Sequence, residues 1–157
     1  MQIDVLIIDG DKNSSQELKN FLEGKGINVY LAYNCKDAII KIFSKKFDLI
    51  FLEIILVDGD GWDFCKKIRN ITTCPIIHIT YINENQSILN ALNSGGDDYL
   101  IKTLNLEILY AKVKAILRRR DLFLNNNKNN IKLEDYNRAS IENAEKTLTI
   151  KEIYEHV

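Results

Sequence analysis

Two textures of apolar residues alternate along the first 120 positions. Short, nearly continuous runs at Ile3–Ile8, Ile27–Ala32, Asp48–Glu53, Pro75–Ile79 and Tyr99–Ile101 have the pattern of strands buried on both faces. Between them, apolar residues recur at helical spacing. Ser14–Gly26 puts Leu18, Phe21 and Leu22 on one side, and Ala38, Ile39, Ile42 and Phe43 form the next stripe. Gly61–Arg69, Glu84–Ser94 and Leu106–Arg120 complete the series, the last with Leu109, Val113, Ile116 and Leu117 facing inward. Five strand–helix units predict an α/β, doubly wound (βα)5 architecture. Right-handed crossovers lay the helices over both faces of a parallel sheet.

At Asp121 the texture changes. Leu122-Phe123-Leu124 leads into NNNKNN at 125–130, a polar stretch with no core-forming pattern, and 131–157 suggests two or three short strands and a helix starting near Thr149. Residues 1–120 carry 16 basic and 15 acidic side chains, against 5 and 7 in 121–157. A stretch as short as 131–157 cannot bury much surface alone. It packs on the first domain, pairs with another chain, or opens a larger domain, and we favour the last. Arg118, Arg119 and Arg120 close the fifth helix, where positive charge favours a helix C-terminus; a linker or interface role is the alternative.

Composition narrows the class. The chain has 157 residues, 46% apolar and 27% charged, with a formal net charge of −1, a folded profile that argues against a chain-wide polycationic nucleic-acid binder. No apolar run is long enough to span a membrane, and the acidic start MQIDVLIIDGD lacks the cationic region of a signal peptide. Cys35, Cys65 and Cys74 lack CxxC spacing and sit in or beside apolar segments, as reduced thiols of a cytoplasmic protein would.

Ligands of an open parallel sheet bind beyond the carboxyl ends of its strands. Asp9 and Asp11 follow the first strand, Glu53 ends the third, Thr80 the fourth and Lys102 the fifth. Acidic groups with a lysine and a hydroxyl opposite describe a hard-cation and phosphoryl site. Singly, each is ordinary for a solvated strand end; together, over consecutive strand ends, they form a pattern.

VLIIDGD (5–11), DLIFLEIILVDGDGWDFCKKIR (48–69), PIIHIT (75–80) and GGDDYLIK with the helix that follows it (95–120) resemble the receiver domain of bacterial two-component response regulators of the OmpR/PhoB type. The resemblance covers residues 2 to about 120. It implies a flavodoxin-like sheet in the order 2-1-3-4-5, a receiver-like domain at 1–120, a linker at 121–130 and the start of a winged-helix DNA-binding domain at 131–157. In such receivers an aspartate ending the third strand accepts phosphate from a histidine kinase, and an acidic pair holds Mg²⁺. A Thr or Ser, an aromatic residue and a lysine followed by a cis proline complete the site.

Position by position, Asp9 matches the first acid, but Gly10 stands at the second. Asp11 matches a commonly acidic neighbour and is not taken to replace the missing carboxylate. Glu53 stands at the phospho-acceptor, Thr80 and Tyr99 match the switch pair, and Lys102 matches the phosphate-binding lysine. Thr103 replaces the family proline, and Val57 replaces another after the phosphorylation strand. Glutamate reaches roughly 1.5 Å further than aspartate, a misplacement on the scale that costs about 10²-fold in rate. Loss of a carboxylate at Gly10 weakens Mg²⁺, and a non-proline cis bond at Thr103 would cost roughly 2.5–4 kcal/mol, so that bond is expected trans.

The expectation is therefore a phosphorylation-independent pseudo-receiver. It would control dimerisation and DNA binding of a transcriptional regulator, with no cofactor, no catalytic residue, no metal and no enzymatic activity. The alternative is phospho-acceptance at Glu53 with Mg²⁺ in a histidine-kinase relay. A flavin-binding reading is disfavoured by the two carboxylates in DGDKNSSQ.

The resemblance also implies a symmetric homodimer through the fourth helix, fifth strand and fifth helix. Ile88, Leu92 and Ile108 are its apolar candidates, and Asp97, Asp98, Lys112 and Arg119 its charged rim. Ile88 and Leu92 fit equally well as residues facing the sheet. Promoter DNA would be a partner of a full-length parent and not of this segment, because the recognition helix would lie beyond Val157.

Overall fold

In the computed structural model, the described residues are 2–128, with side chains described through Asp121. Five parallel strands, β1 (Asp4–Ile8), β2 (Asn28–Ala32), β3 (Leu49–Leu52), β6 (Ile76–Thr80) and β7 (Asp98–Ile101), form one sheet in the order β2-β1-β3-β6-β7. Counted along that sheet, this is the expected 2-1-3-4-5 order. The helices are α1 (Lys12–Gly24), α2 (Cys35–Ser44), α3 (Gly61–Ile68), α4 (Asn85–Asn93) and α5 (Leu106–Lys128). A short antiparallel hairpin, β4 (Ile55–Leu56) with β5 (Gly59–Asp60), sits between β3 and α3. The sequence pattern did not signal it, because two-residue strands carry no periodicity.

Strand alternation sorts the core into two layers. Leu6, Ile8, Ile50, Leu52 and Ile76 face one way and pack with Ala38 and Ile39 of α2 and Phe64, Cys65 and Ile68 of α3. Val5, Ile7, Leu49, Phe51, Ile77 and Ile79 face the other way and pack with Leu18 and Leu22 of α1 and Leu109 and Val113 of α5. Every one of these side chains is buried, which is why the strands read as unbroken apolar runs. The three cysteines are free and buried, and burial raises all three thiols, Cys35 and Cys74 to about 12. At neutral pH they behave as small apolar core groups.

Helix starts are set by short acids and amides. Asp11 caps α1, Asn34 caps α2 and Asp60 caps α3, each accepting a backbone N–H from the first turn. Asp58, in the turn between β4 and β5, adds two further acceptors to α2, at Cys35 N (2.8 Å) and Lys36 N (3.1 Å). The hairpin is thereby tied to the neighbouring helix. Gly61 opens α3 against the end of β3, where a Cβ would sit 2.3 Å from the Glu53 carbonyl oxygen. Only glycine lets the two backbones approach so closely.

The expected end of the fifth helix needs correction. α5 runs on to Lys128, so Arg118, Arg119 and Arg120 lie inside it and do not cap its C-terminus. The Arg120 guanidinium instead donates to the Asp48 carbonyl at 3.0 Å, pinning the helix to the entry of β3. Residues 121–128 of the expected linker are helical, and the expected winged-helix start at 131–157 lies outside the described residues. No described helix is long and apolar enough to cross a membrane.

His78, in the middle of β6, is fully buried. Burial first, then the positive charge of Arg69, lowers its pKa from 6.5 to about 4. The unfolded chain therefore takes up a proton at His78 between those two values while the folded chain does not. This contribution to stability is intact above pH 6.5 and is lost as pH falls toward 4, by up to about 3 kcal/mol. Urea titrations at pH 7 and pH 4.5 should show that loss in the wild type, and His78→Leu should flatten it.

Candidate functional site

The carboxyl ends of β1, β3 and β7 converge on one buried cluster. The Asp9 N–H donates to the Ala32 carbonyl (2.9 Å), the Glu53 N–H to the Ile8 carbonyl (2.9 Å) and the Lys102 N–H to the Thr80 carbonyl (2.8 Å). Each functional residue thus extends the sheet's own ladder by one bond, and its side chain enters a fixed place. Lys102 Nζ lies 2.7 Å from Asp9 Oδ2 and 2.9 Å from Glu53 Oε1. The side chains of Lys102 and Asp9 are each 3% exposed and that of Glu53 9%, so the bridge is nearly dry.

The remaining oxygens are also engaged. Asp9 Oδ1 accepts the Asp11 N–H at 2.9 Å. Glu53 Oε2 accepts the N–H of Ile54 at short range, with that of Ile55 at 3.4 Å. The extra methylene of glutamate lets its carboxylate curl back onto the loop amides while keeping one oxygen on the lysine. Tyr81 lays its ring over the ammonium, 5.2 Å from centroid to Nζ, and is itself 61% exposed.

Two carboxylates share one ammonium, so the cluster carries surplus negative charge. Burial pushes the Asp9 carboxyl above its usual value, against the pull of Lys102 and the Asp11 amide, and the charge of Glu53 adds to the rise. Burial acts to lower Lys102, but the hydrogen bonds it donates to Asp9 and Glu53, with their charges, together outweigh it and raise the lysine. The ammonium is therefore held firmly in its charged form.

The structure separates the remaining candidates. Asp11 is exposed and its carboxylate caps α1, accepting from Asn13 N (3.1 Å) and Ser14 N (3.2 Å). Gly10 is exposed, and a Cβ there would meet the Tyr33 carbonyl at 3.2 Å, so an added side chain forces a small shift. Thr80 is buried and accepts the Ile82 N–H at 3.4 Å. Tyr99 donates its phenol proton to the Ile82 carbonyl at 2.6 Å and meets Ser87 Oγ at 3.0 Å. No cis peptide occurs among the described residues, so the Lys102–Thr103 bond is trans as expected.

The donor set for Mg²⁺ is thin: the second acidic position is Gly10, the Asp11 carboxylate caps a helix, and the two carboxylates left, Asp9 and Glu53, are both on Lys102. A hard dication needs several free oxygens.

On the far face, Leu92 is 43% exposed and Ile108 50%, and both are open to solvent; Ile88 is half-buried. Leu89, which the sequence reading did not single out, is 53% exposed on the same helix. Exposure of a leucine beside Ile88 was legible only as an i, i+1 ambiguity in a short helix. Lys112 lies 3.6 Å from Asp98 within the chain, and exposed Arg119 leans on the Ala115 carbonyl. Asp97 also serves the fold: its carboxylate bridges Arg69 (2.6 Å) and the Ile76 N–H (2.7 Å) while its side chain stays 45% exposed.

Comparison with known proteins places this arrangement. Residues 5–114 match the response regulator receiver domain. The chain belongs to that family. The receiver is 34% identical over 115 residues to the uncharacterized transcriptional regulatory protein YvcP of Bacillus subtilis, covering 73% of this chain and 48% of YvcP. It is 35% identical over 115 residues to the response regulator ArlR of Staphylococcus aureus, covering 73% of this chain and 52% of ArlR. The chain thus spans about half the length of the curated relatives it matches. Among solved structures, the receiver resembles a two-component response regulator from Clostridium difficile at 77% identity and a TM-score of 0.74, covering 76% of this chain and 98% of that one. It also resembles the receiver domain of the Francisella response regulator 1452 at 30% identity and a TM-score of 0.70, covering 75% and 98%.

Removing the ammonium strands two buried carboxylates. Lys102→Met should lower stability by about 3–5 kcal/mol at pH 7. Without the lysine, the Asp9 carboxyl, already raised by burial, loses the partner that pulls it down and rises further, so stability returns as pH falls from 7 toward 5. Urea midpoints for the wild type and Lys102→Met at both pH values check the sign as well as the size.

Proposed function

We propose that this receiver is a pseudo-receiver whose output state is held by the Glu53–Lys102 ion pair and is not set by phosphotransfer. The observation that carries this reading is the placement of Glu53, with one oxygen on Lys102 and the other turned back onto the loop amides. A nucleophilic carboxylate must present a lone pair along an open approach to an incoming phosphorus, and this one is nearly buried and turned toward its own loop. Glutamate supplies roughly one negative charge against the −1.5 to −2 of a phosphate, enough to hold the lysine without reproducing the full phosphorylated state. Within a parent regulator of the OmpR/PhoB type, cytoplasmic like the relatives' class, such a domain would govern pairing and thereby promoter binding. The names of YvcP and ArlR, a transcriptional regulatory protein and a response regulator, support that role.

A second reading is phospho-acceptance at Glu53 from a histidine kinase, with Mg²⁺. It is favoured by family membership and by the presence of Asp9, Thr80, Tyr99 and Lys102 at their expected positions.

Incubation with Mg²⁺ and acetyl phosphate separates the two. The wild type should gain no mass, whereas the Gly10→Asp/Glu53→Asp variant should gain about 80 Da, the mass of one phosphoryl group. A stoichiometric gain in the wild type that disappears in Glu53→Gln would establish the second reading instead.

The dimer follows from the same proposal. Pairing through α4, β7 and α5 would bring Leu89, Leu92 and Ile108 together with half-buried Ile88, an apolar contact rimmed by Asp97, Asp98, Lys112 and Arg119, whose solvent-exposed pairs contribute little. Sedimentation should show a dimer without any phosphodonor, weakened by Ile108→Glu. The affinity should change little between roughly 50 and 500 mM salt, since screening acts on charge pairs and not on apolar burial.

A further inference from the structure

Among the described residues, most large apolar side chains that reach solvent belong to features already met. Leu89, Leu92 and Ile108 lie on the proposed pairing face, Ile55 and Val57 flank the turn of the β4–β5 hairpin, and Tyr81 lies over Lys102. Tyr30 sits against Phe47 and under Lys45. Ile40, 52% exposed, and Phe43, 58% exposed, are left over on α2. That helix commits Cys35, Ala38 and Ile39 to the core, while Ile40 and Phe43, three positions apart, stand side by side on its open surface. The stretch 35–46 also holds four lysines against one aspartate, in a chain whose net charge is −1. Lys41 and Lys46 form no ion pair among the described residues.

The size of this patch decides what can cover it. Two half-exposed side chains leave roughly 200 Å² of apolar surface, against the about 800 Å² that a stable interface takes from each partner. A free protein, a second copy included, gains too little there. A segment of the same chain needs less, because a tether raises its effective concentration into the millimolar range. Such a segment is present in the sequence. Ile150, Ile153, Tyr154 and Val157 recur at the spacing of one helical stripe, and Glu152 and Glu155 outnumber Lys151 among them. Apolar positions with surplus acid complement apolar positions with surplus lysine. Reach is not limiting: Arg120 pins α5 at Asp48, four residues past the end of α2, and the 22 steps from Lys128 to Ile150 span up to roughly 75 Å.

We propose that residues 148–157 dock on α2 of their own chain, with Ile150, Ile153, Tyr154 and Val157 laid against Ile40 and Phe43 and the glutamates beside the lysines. In a parent regulator the same stripe would otherwise pack within the domain that follows. Docking on α2 therefore holds that domain's opening segment on the receiver, away from the pairing face. The inference is independent of whether Glu53 accepts phosphate.

Thiol labelling of the full chain tests it. The three native cysteines are buried with raised thiols, so Ser44→Cys, one residue past Phe43 on exposed helix, supplies the reactive site for a disulfide reagent. Labelling should run roughly tenfold faster in Ile153→Ser/Tyr154→Ser, the change expected for a face covered about nine-tenths of the time. Ile40→Ser should speed it likewise, and combining it with the tail pair should add nothing further. These substitutions are neutral, so they leave the charge around the new thiol unaltered. Protection in the parent Ser44→Cys chain should be the same from roughly 1 to 100 µM protein, because cis docking carries no mass action. Equal labelling with and without the tail substitutions, additive effects in the combined variant, or protection that grows with concentration, as a second copy on α2 would give, would each overturn the proposal.

Discussion

One buried ammonium holds the carboxyl edge of the sheet together. Lys102 enters from the last strand and meets acids from the first and third, so three separate strands end on a single charge. A fully buried carboxylate costs several kcal/mol to desolvate unless it is paired, and here two share one partner. The arrangement is tolerable because the leftover oxygens are met by backbone N–H groups of Asp11, Ile54 and Ile55. The loops after β1 and β3 therefore take their shape from the charge cluster as much as from their own turn preferences. Gly61 completes the condition by letting α3 begin hard against the β3 loop.

That dependence connects the site to the rest of the domain. Lys102 follows β7, Tyr99 lies three residues earlier on the same strand, and Tyr99 reaches the Ile82 carbonyl and Ser87. A displacement of the lysine would be felt along a rigid strand whose neighbour, β6, is buried along its whole length. The two contacts lie close together: Tyr99 on β7 touches the fourth helix, and Lys102, just past the end of the same strand, holds the charge cluster. Whether the cluster's negative charge comes from a side chain or from a transferred group, the mechanical path is the same.

Most of the scaffold was legible because it rests on burial and alternation. Leu6 and Ile8 against Val5 and Ile7 announce a strand with a core on each face, and the five-unit order leaves few topologies to choose among. The site positions were legible because strand ends are easy to locate, so Asp9, Glu53 and Lys102 fall together as their spacing implied. What could not be read was the use each polar group finds once folded. Asp11 and Asp9 are both acids two positions apart, yet one caps a helix and the other is buried on lysine. Asp97 and Asp98 are adjacent, yet one is tied to Arg69 and the Ile76 amide and the other meets Lys112. The end of α5 was misplaced because a basic run and polar asparagines resemble a helix terminus, whereas Arg120 is anchored by a distant carbonyl. Leu89 was overlooked because α4 presents its larger residues outward, against the usual rule for a helix on a sheet.

The continuation of α5 beyond Arg120 has a geometric meaning of its own. A helix carries direction and phase: each residue advances about 1.5 Å and turns about 100°. With the shaft pinned at Asp48, anything joined after it inherits an azimuth dictated by the number of residues in between. A one-residue deletion within 121–128 would turn the bearing of the helix end by more than a quarter-turn while leaving the contacts of the sheet intact. The number of residues in 121–128 thus sets the bearing on which the helix ends at Lys128.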